Sequence, residues 1–183
     1  SCTSTNVTKG SSTAFVEGAK IPKEYACANL GGMERSMPLS WDKVPANTSK
    51  FAVIVDDETA PCGTGDKACT HWSVYNIPNT ITLFTTGQKV TDISGVVEGK
   101  IKTELGDVSR YVGICPPTSD DVTFLATQGI DAKTKHIYKM TAYALKDTMP
   151  NINAGEGALT RSQFKATYGS HILGEATLSG TFD

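Results

Sequence analysis

The sequence has no excess of basic residues: 17 Lys and Arg stand against 19 Asp and Glu, a formal net charge of −2. A dedicated nucleic-acid binder normally presents a basic face, so no nucleic-acid partner is expected. No apolar run approaches the roughly eighteen residues a membrane-spanning helix needs. G-x-S-x-G is missing, which argues against a nucleophile-elbow hydrolase. H-E-x-x-H is missing as well, which argues against a zincin. The glycines of "GTGDKA" (63–68) sit between Cys62 and Cys69 and lack the spacing of a phosphate loop. There is no internal repeat and no heptad. Histidine is scarce, with only His71, His136 and His171.

What is present fits one globular domain: 183 residues, 39% apolar and 20% charged. Five cysteines are many for a cytosolic protein of this length. Cys62 and Cys69 flank a glycine-containing loop flexible enough for the sulfurs to meet. A bridge there would stabilise by roughly 2–3 kcal/mol in the chain-entropy picture and points to an oxidising compartment. Two free thiols in a surface loop are the plainer alternative. A zinc pair is disfavoured by the spacing, and no metal or cofactor is expected. The start, "SCTSTNVTKGSST", is polar with almost nothing to bury, so residues 1–14 are expected to form a flexible tether. Cys2 followed by such a tether resembles a mature bacterial lipoprotein. That implies a periplasmic or cell-envelope location, with Cys2 as lipid anchor and the only means of membrane association.

Strand signals outnumber helix signals. "KFAVIVDD" (50–57) is a β-branched apolar run ended by acids and reads as a buried strand. "HWSVYNI" (71–77) alternates, placing His71, Ser73, Tyr75 and Ile77 on one face and Trp72, Val74 and Asn76 on the other. "HIYKMTAYAL" (136–145) and "GEATLSGTF" (174–182) are further strands, while "KVTDISGVVEGKIK" (89–102) has weaker β character. One helix is predicted near 160–169, with Thr160 as N-cap, Phe164 and Tyr168 on one face, and Gly169 as stop. A second within 147–157 is opposed by Pro150 and two glycines. This pattern predicts a mainly β, two-sheet antiparallel sandwich with a few peripheral helices.

A lone histidine in a strand is usually structural. His71, however, follows the acidic stretch "DDETAP" (56–61), and His136 opens a strand with Tyr138 on its face. If those strand ends meet, they assemble Asp57, His71, His136 and Tyr138 beside "YVGICPP" (111–117). Pro116 and Pro117 stiffen that loop, and Gly113 would let its backbone approach a ligand. A rigid loop beside two imidazoles suits an anion.

At this point the chain resembles the phosphatidylethanolamine-binding protein family, in its bacterial Raf-kinase-inhibitor-like (YbhB/YbcL-type) branch. The matching pieces, in family order, are "FVEGAKIPKEYAC", "MPLSW", "FAVIVDDETAP", "HWSVYNIP", "YVGICPP", "HIYKMTAYAL" and "HILGEATLSGTF". They span nearly everything after residue 14. The resemblance implies a two-sheet fold with a small pocket for phosphate-type groups at one end. The family's D-P-D-A-P motif falls on residues 57–61. Its first aspartate is Asp57; its second falls on Thr59, which still offers a hydroxyl. Glu58 replaces a proline and is expected to project outward as a solvated charge. His71, Gly113, Pro116, His136 and Tyr138 carry over as pocket residues, with Cys115 in place of a glycine. Cys27 and Cys115 occur in bacterial relatives, either paired or as buried thiols. The segment 118–135 is longer than usual and is expected at the pocket rim of a single domain spanning 15–183. Its Asp120 and Asp121 suit a solvated loop.

The resulting expectation is a non-catalytic binding protein with an anion pocket for a phospholipid head group or a phosphorylated ligand, with modulation of a partner protein as a further expectation. His71 and His136 would donate hydrogen bonds, and backbone N–H groups near Gly113 would complete the cradle. The alternative is a protease- or kinase-inhibitor-like regulator acting through 118–135. A hydrolase or metalloenzyme built on Asp57, His71 and His136 ranks below both, because no nucleophile–base pair or metal spacing is present.

Overall fold

The computed structural model describes residues 10–183. Along the chain run β1 (Gly10–Ser11), β2 (Leu39–Trp41), β3 (Lys50–Asp57), β4 (Cys69–Pro78), β5 (Leu83–Phe84), β6 (Val97–Glu98), β7 (Ile101–Thr103), β8 (Gly106–Val108), α1 (Ser119–Thr127), β9 (His136–Leu145), α2 (Arg161–Tyr168) and β10 (Ile172–Phe182). The larger sheet has the order β10-β9-β3-β4-β6 and the smaller β1-β2-β5, while β7 and β8 form a separate ribbon. All these pairings are antiparallel. Among the described residues no helix is long and apolar enough to cross a membrane.

The apolar run of β3 is explained by its position. Phe51, Val53 and Val55 face the smaller sheet, in a core with Trp41, Trp72, Phe84 and Met140. Ala52 and Ile54 face the other way, against Tyr75, Tyr143 and Phe164. A strand covered on both faces reads as continuous rather than alternating hydrophobicity. Phe164 brings α2 to the second face, and its full burial contributes about 1.5–3 kcal/mol. Thr160 caps α2 as expected: its Oγ1 accepts from Gln163 N at 3.1 Å, and Gln163 Oε1 accepts from Thr160 N at 3.0 Å. Gly169 is the C-cap at which α2 ends, as expected, but it keeps a right-handed backbone (φ −54°) and leads into a 3-10 turn instead of taking the left-handed conformation.

Two further expectations are corrected. Gly10 and Ser11 pair with Trp41 and Ser40, so the chain enters the sheet before residue 14. Cys2 lies outside the described residues. The segment 118–135 is not simply a loop. It contains α1, whose Thr118 Oγ1 accepts from Asp121 N while Asp121 Oδ2 accepts from Thr118 N. Asp121 therefore belongs to a capping box. No residue of α1 is buried, so the helix lacks the apolar stripe that would have revealed it.

The faces of β4 also differ from simple alternation, because the strand is bulged twice against β3. Val55 pairs with Trp72 and Asp56 with Thr70, leaving His71 as the extra residue; Phe51 pairs with Ile77 and Val53 with Val74, leaving two residues opposite Ala52. At the second bulge Asn76 takes φ 60°, and Ile77 joins the core of Trp72 and Val74 instead of the face of Tyr75. The first bulge turns His71 away from the face of Ser73, whose hydroxyl donates to Leu159 O beside α2.

Candidate functional site

Bulging at His71 has a direct consequence. Along β3, residues 51, 53, 55 and 57 share the core face, so Asp57 emerges at its end. Asp57 pairs with Tyr138 of β9, and His136 lies two residues away on the same face. The bulge adds His71 from β4. Together with Pro61, Cys62, Cys69, Cys115 and Pro117, these side chains line an open pocket of about 200 Å³ at the end of the larger sheet. His71 and Tyr138 meet edge to face at 5.3 Å.

The four polar side chains play different parts. Asp57 is buried; its Oδ1 accepts from Thr59 N at 2.7 Å, and its Oδ2 lies 2.5 Å from His136 Nδ1. The other nitrogen of His136 donates to Lys133 O at 2.8 Å. Both ring nitrogens are thus engaged within the protein, and His136 has no donor left for a ligand, contrary to expectation. Whether the proton between Nδ1 and Oδ2 sits on the ring or on the carboxylate, the Asp57–His136 pair carries no net charge.

His71 Nδ1 lies 3.1 Å from Val112 O, and Val112 N donates to His71 O at 2.8 Å. A carbonyl only accepts, so Nδ1 carries the hydrogen. Nε2 has no protein partner among the described residues. Burial pushes the His71 pKa below its ordinary value, against the opposing pull of the Val112 carbonyl and Asp57. Burial pushes the Tyr138 phenol up, so it remains protonated. Its hydroxyl also has no protein partner among the described residues.

Several predicted site residues are framework rather than lining. Thr59 Oγ1 accepts from Ile137 N at 3.0 Å, tying the acidic loop to β9. A Cβ at Gly113 would lie 2.8 Å from Cys27 N and 2.9 Å from Cys27 Cα, so glycine is required for contact with the 26–27 backbone and not with a ligand. The N–H groups of Val112 and Ile114 bond to His71 O and Tyr25 O, which removes them from any anion cradle. Pro116 is buried behind the wall, whereas Cys115 lines it. Both disulfides are formed, Cys27–Cys115 and Cys62–Cys69. Asp57, Cys62 and His136 offer ligand-type atoms within 4.8 Å of one another. The Cys62 sulfur is bonded to Cys69, however, so it supplies no thiolate for a metal.

Sequence reasoning missed a second polar cluster on the opposite face. Asp56 accepts from Arg161 Nε and Arg161 N, both at 2.8 Å. Glu58 Oε1 accepts from Arg161 at 2.8 Å and Oε2 from Gly65 N at 2.8 Å. Glu58 is therefore half-buried and paired, not a free solvated charge. Strand alternation through "DD" was the available signal, since neighbouring aspartates on one strand must serve opposite faces.

Residues 11–183 match the family model described as phosphatidylethanolamine-binding protein. A UPF0098 protein of Chlamydia muridarum is 30% identical over 173 residues, covering 94% of this chain and 96% of the relative. A UPF0098 protein of Methanothermobacter thermautotrophicus is 33% identical over 171 residues, covering 92% and 94%. Among solved structures, a phosphatidylethanolamine-binding protein homologue from Chlamydia trachomatis superposes with TM-score 0.66 at 28% identity, over 98% of this chain and 99% of that one. Escherichia coli YbcL shares the fold with TM-score 0.71 at 21% identity, over 96% and 97%. The chain belongs to the phosphatidylethanolamine-binding protein family.

Proposed function

We propose that the protein is a non-catalytic binder of small phosphate-type oxyanions, held in the pocket between the ends of β3, β4 and β9. The observation that carries this reading is the pair of unengaged polar atoms, His71 Nε2 and Tyr138 OH, on rings in edge-to-face contact above a neutral, internally satisfied Asp57–His136 pair. Walls of proline and disulfide sulfur add shape without charge. The arrangement has an orienting geometry but no activated nucleophile: Asp57 is tied on both oxygens, and among the described residues no serine, threonine or free thiol lines the pocket. Phosphatidylethanolamine, which gives the family its name, carries a phosphodiester of this class.

Calorimetric titration with inorganic phosphate at about pH 5.5 and about pH 8 tests the reading, because the lower pH favours the protonated His71 ring, whose pKa burial pushes below its ordinary value. Binding is expected to be tighter at the lower pH and to weaken in His71→Ala and Tyr138→Phe. Equal heats in all three proteins would refute it.

A second reading, a partner-regulating surface, is supported by α1, which buries none of its residues and exposes Phe124. Phe124→Asp would then abolish capture of the partner while leaving phosphate titration unchanged. On this proposal the two disulfides support an oxidising compartment for the protein.

A further inference from the structure

The pocket contains an acceptor where an anion site would ordinarily place a donor. Val112 O fixes the hydrogen of His71 on Nδ1, so the neutral ring presents the bare lone pair of Nε2 to the pocket. The groups facing this nitrogen add no positive charge. Asp57 at the end of β3 and His136 of β9 form a pair without net charge, and Tyr138 of β9 is a neutral phenol. Asp56 also acts on the ring electrostatically, from the opposite face of β3, where Arg161 holds it. The remaining lining residues, Pro61, Cys62, Cys69, Cys115 and Pro117, do not titrate when the disulfides are formed, and among the described residues neither Lys nor Arg lines the pocket.

A fully ionised oxyanion brought against Nε2 would set lone pair against lone pair. An oxyanion carrying its own hydroxyl would not. Its P–O–H donates to Nε2 while another of its oxygens accepts from Tyr138 OH. Resting on the reading above, we infer that His71 makes the pocket selective for oxyanions that bring their own proton, so that phosphomonoesters are bound in preference to phosphodiesters near neutral pH. A monoester has a second ionisation near about pH 6 and therefore still supplies a hydroxyl form in this range. A diester has none, and enters only when His71 itself takes up a proton from water. The shared proton is counted once in either case: it lies between Nε2 and a ligand oxygen, and no covalent bond changes. Phosphorylated small molecules or side chains thus fit the site better than an intact phospholipid head group.

Methyl phosphate and dimethyl phosphate are suitable probes, titrated into the disulfide-intact protein, with sulfate as a further anion that has no hydroxyl. At about pH 7 methyl phosphate is expected to bind at least about tenfold more tightly than either. At about pH 5 the ratio should narrow severalfold, because dimethyl phosphate and sulfate gain as His71 protonates. Titration in two buffers of different ionisation enthalpy should show dimethyl phosphate taking up one proton per molecule bound at the higher pH. Equal affinities for the two esters at about pH 7 would overturn this inference and leave the oxyanion pocket standing. Failure of all three probes to bind even at about pH 5 would overturn both. Tyr138→Phe provides the contrast: it should weaken the esters alike and leave their ratio unchanged.

Discussion

Replacing Asp57 by alanine is the most informative single change at the pocket. The substitution removes a part-buried acceptor from Thr59 N at 2.7 Å and the buried partner of His136 Nδ1 at 2.5 Å. Hydrogen bonds to a charged group contribute about 1.5–3 kcal/mol each. Removing one partner of a buried pair costs about 3–5 kcal/mol, because the other is left desolvated and unmatched. Asp57→Ala is therefore expected to lose about 3–5 kcal/mol in urea unfolding with the disulfides intact. Asp57→Asn should do much less harm, about 1–2 kcal/mol, since the amide oxygen still accepts from Thr59 N. Its NH2 group can donate to Nδ1 of a ring whose hydrogen stays on Nε2, toward Lys133 O. In a double-mutant cycle with His136→Ala, the combined loss should fall well short of the sum of the single losses. A loss below about 1 kcal/mol for Asp57→Ala, or equal losses for the alanine and asparagine variants, would refute the assignment of His136 as an internally satisfied ring.

The other predictions concern the framework. Gly113→Ala should destabilise by about 1–3 kcal/mol, as read from thermal midpoints, because its Cβ meets backbone and not a movable side chain. Removing Cys27–Cys115, with a sequence separation of 88, should cost about 4–5 kcal/mol, against about 2–3 for Cys62–Cys69 with a separation of 7, in paired serine variants measured by urea unfolding. The Glu58 carboxyl is held below its ordinary value by the Gly65 N–H and, despite partial burial, by Arg161. A depressed carboxylate contributes stability above its unfolded value near 4.5 and loses it as pH falls through the folded one, so Glu58→Gln should flatten the acid limb of the stability–pH curve.

Much of this architecture was legible because hydrophobic patterning reports burial directly. The run 50–57 is apolar on both faces because both faces are covered, and Thr160 as N-cap, with Phe164 and Tyr168 four apart, announced α2. The convergence of Asp57, His71, His136 and Tyr138 was also readable from strand ends. Hydrogen-bond direction at the site was not. It depends on Val112 O and Lys133 O, backbone atoms that every residue type possesses, and on a bulge that depends on pairing with β3. Nor was α1 visible, since a helix that buries nothing has no periodic signal. Gly113 was recognised as indispensable for the wrong neighbour: a close approach exists, but to Ala26 and Cys27.

The two consecutive aspartates that close β3 point to opposite sides of one sheet, Asp57 towards the pocket and Asp56 towards Arg161 at the start of α2. A slip of β3 by a single residue that seats Asp56 at the pocket would put Val55 opposite Arg161, leaving the guanidinium and amide of that residue without their acceptor and detaching the helix. Seating of the helix is thereby tied to sheet alignment, and a strand slipped in that direction would lose the anchor of α2 along with its own core register.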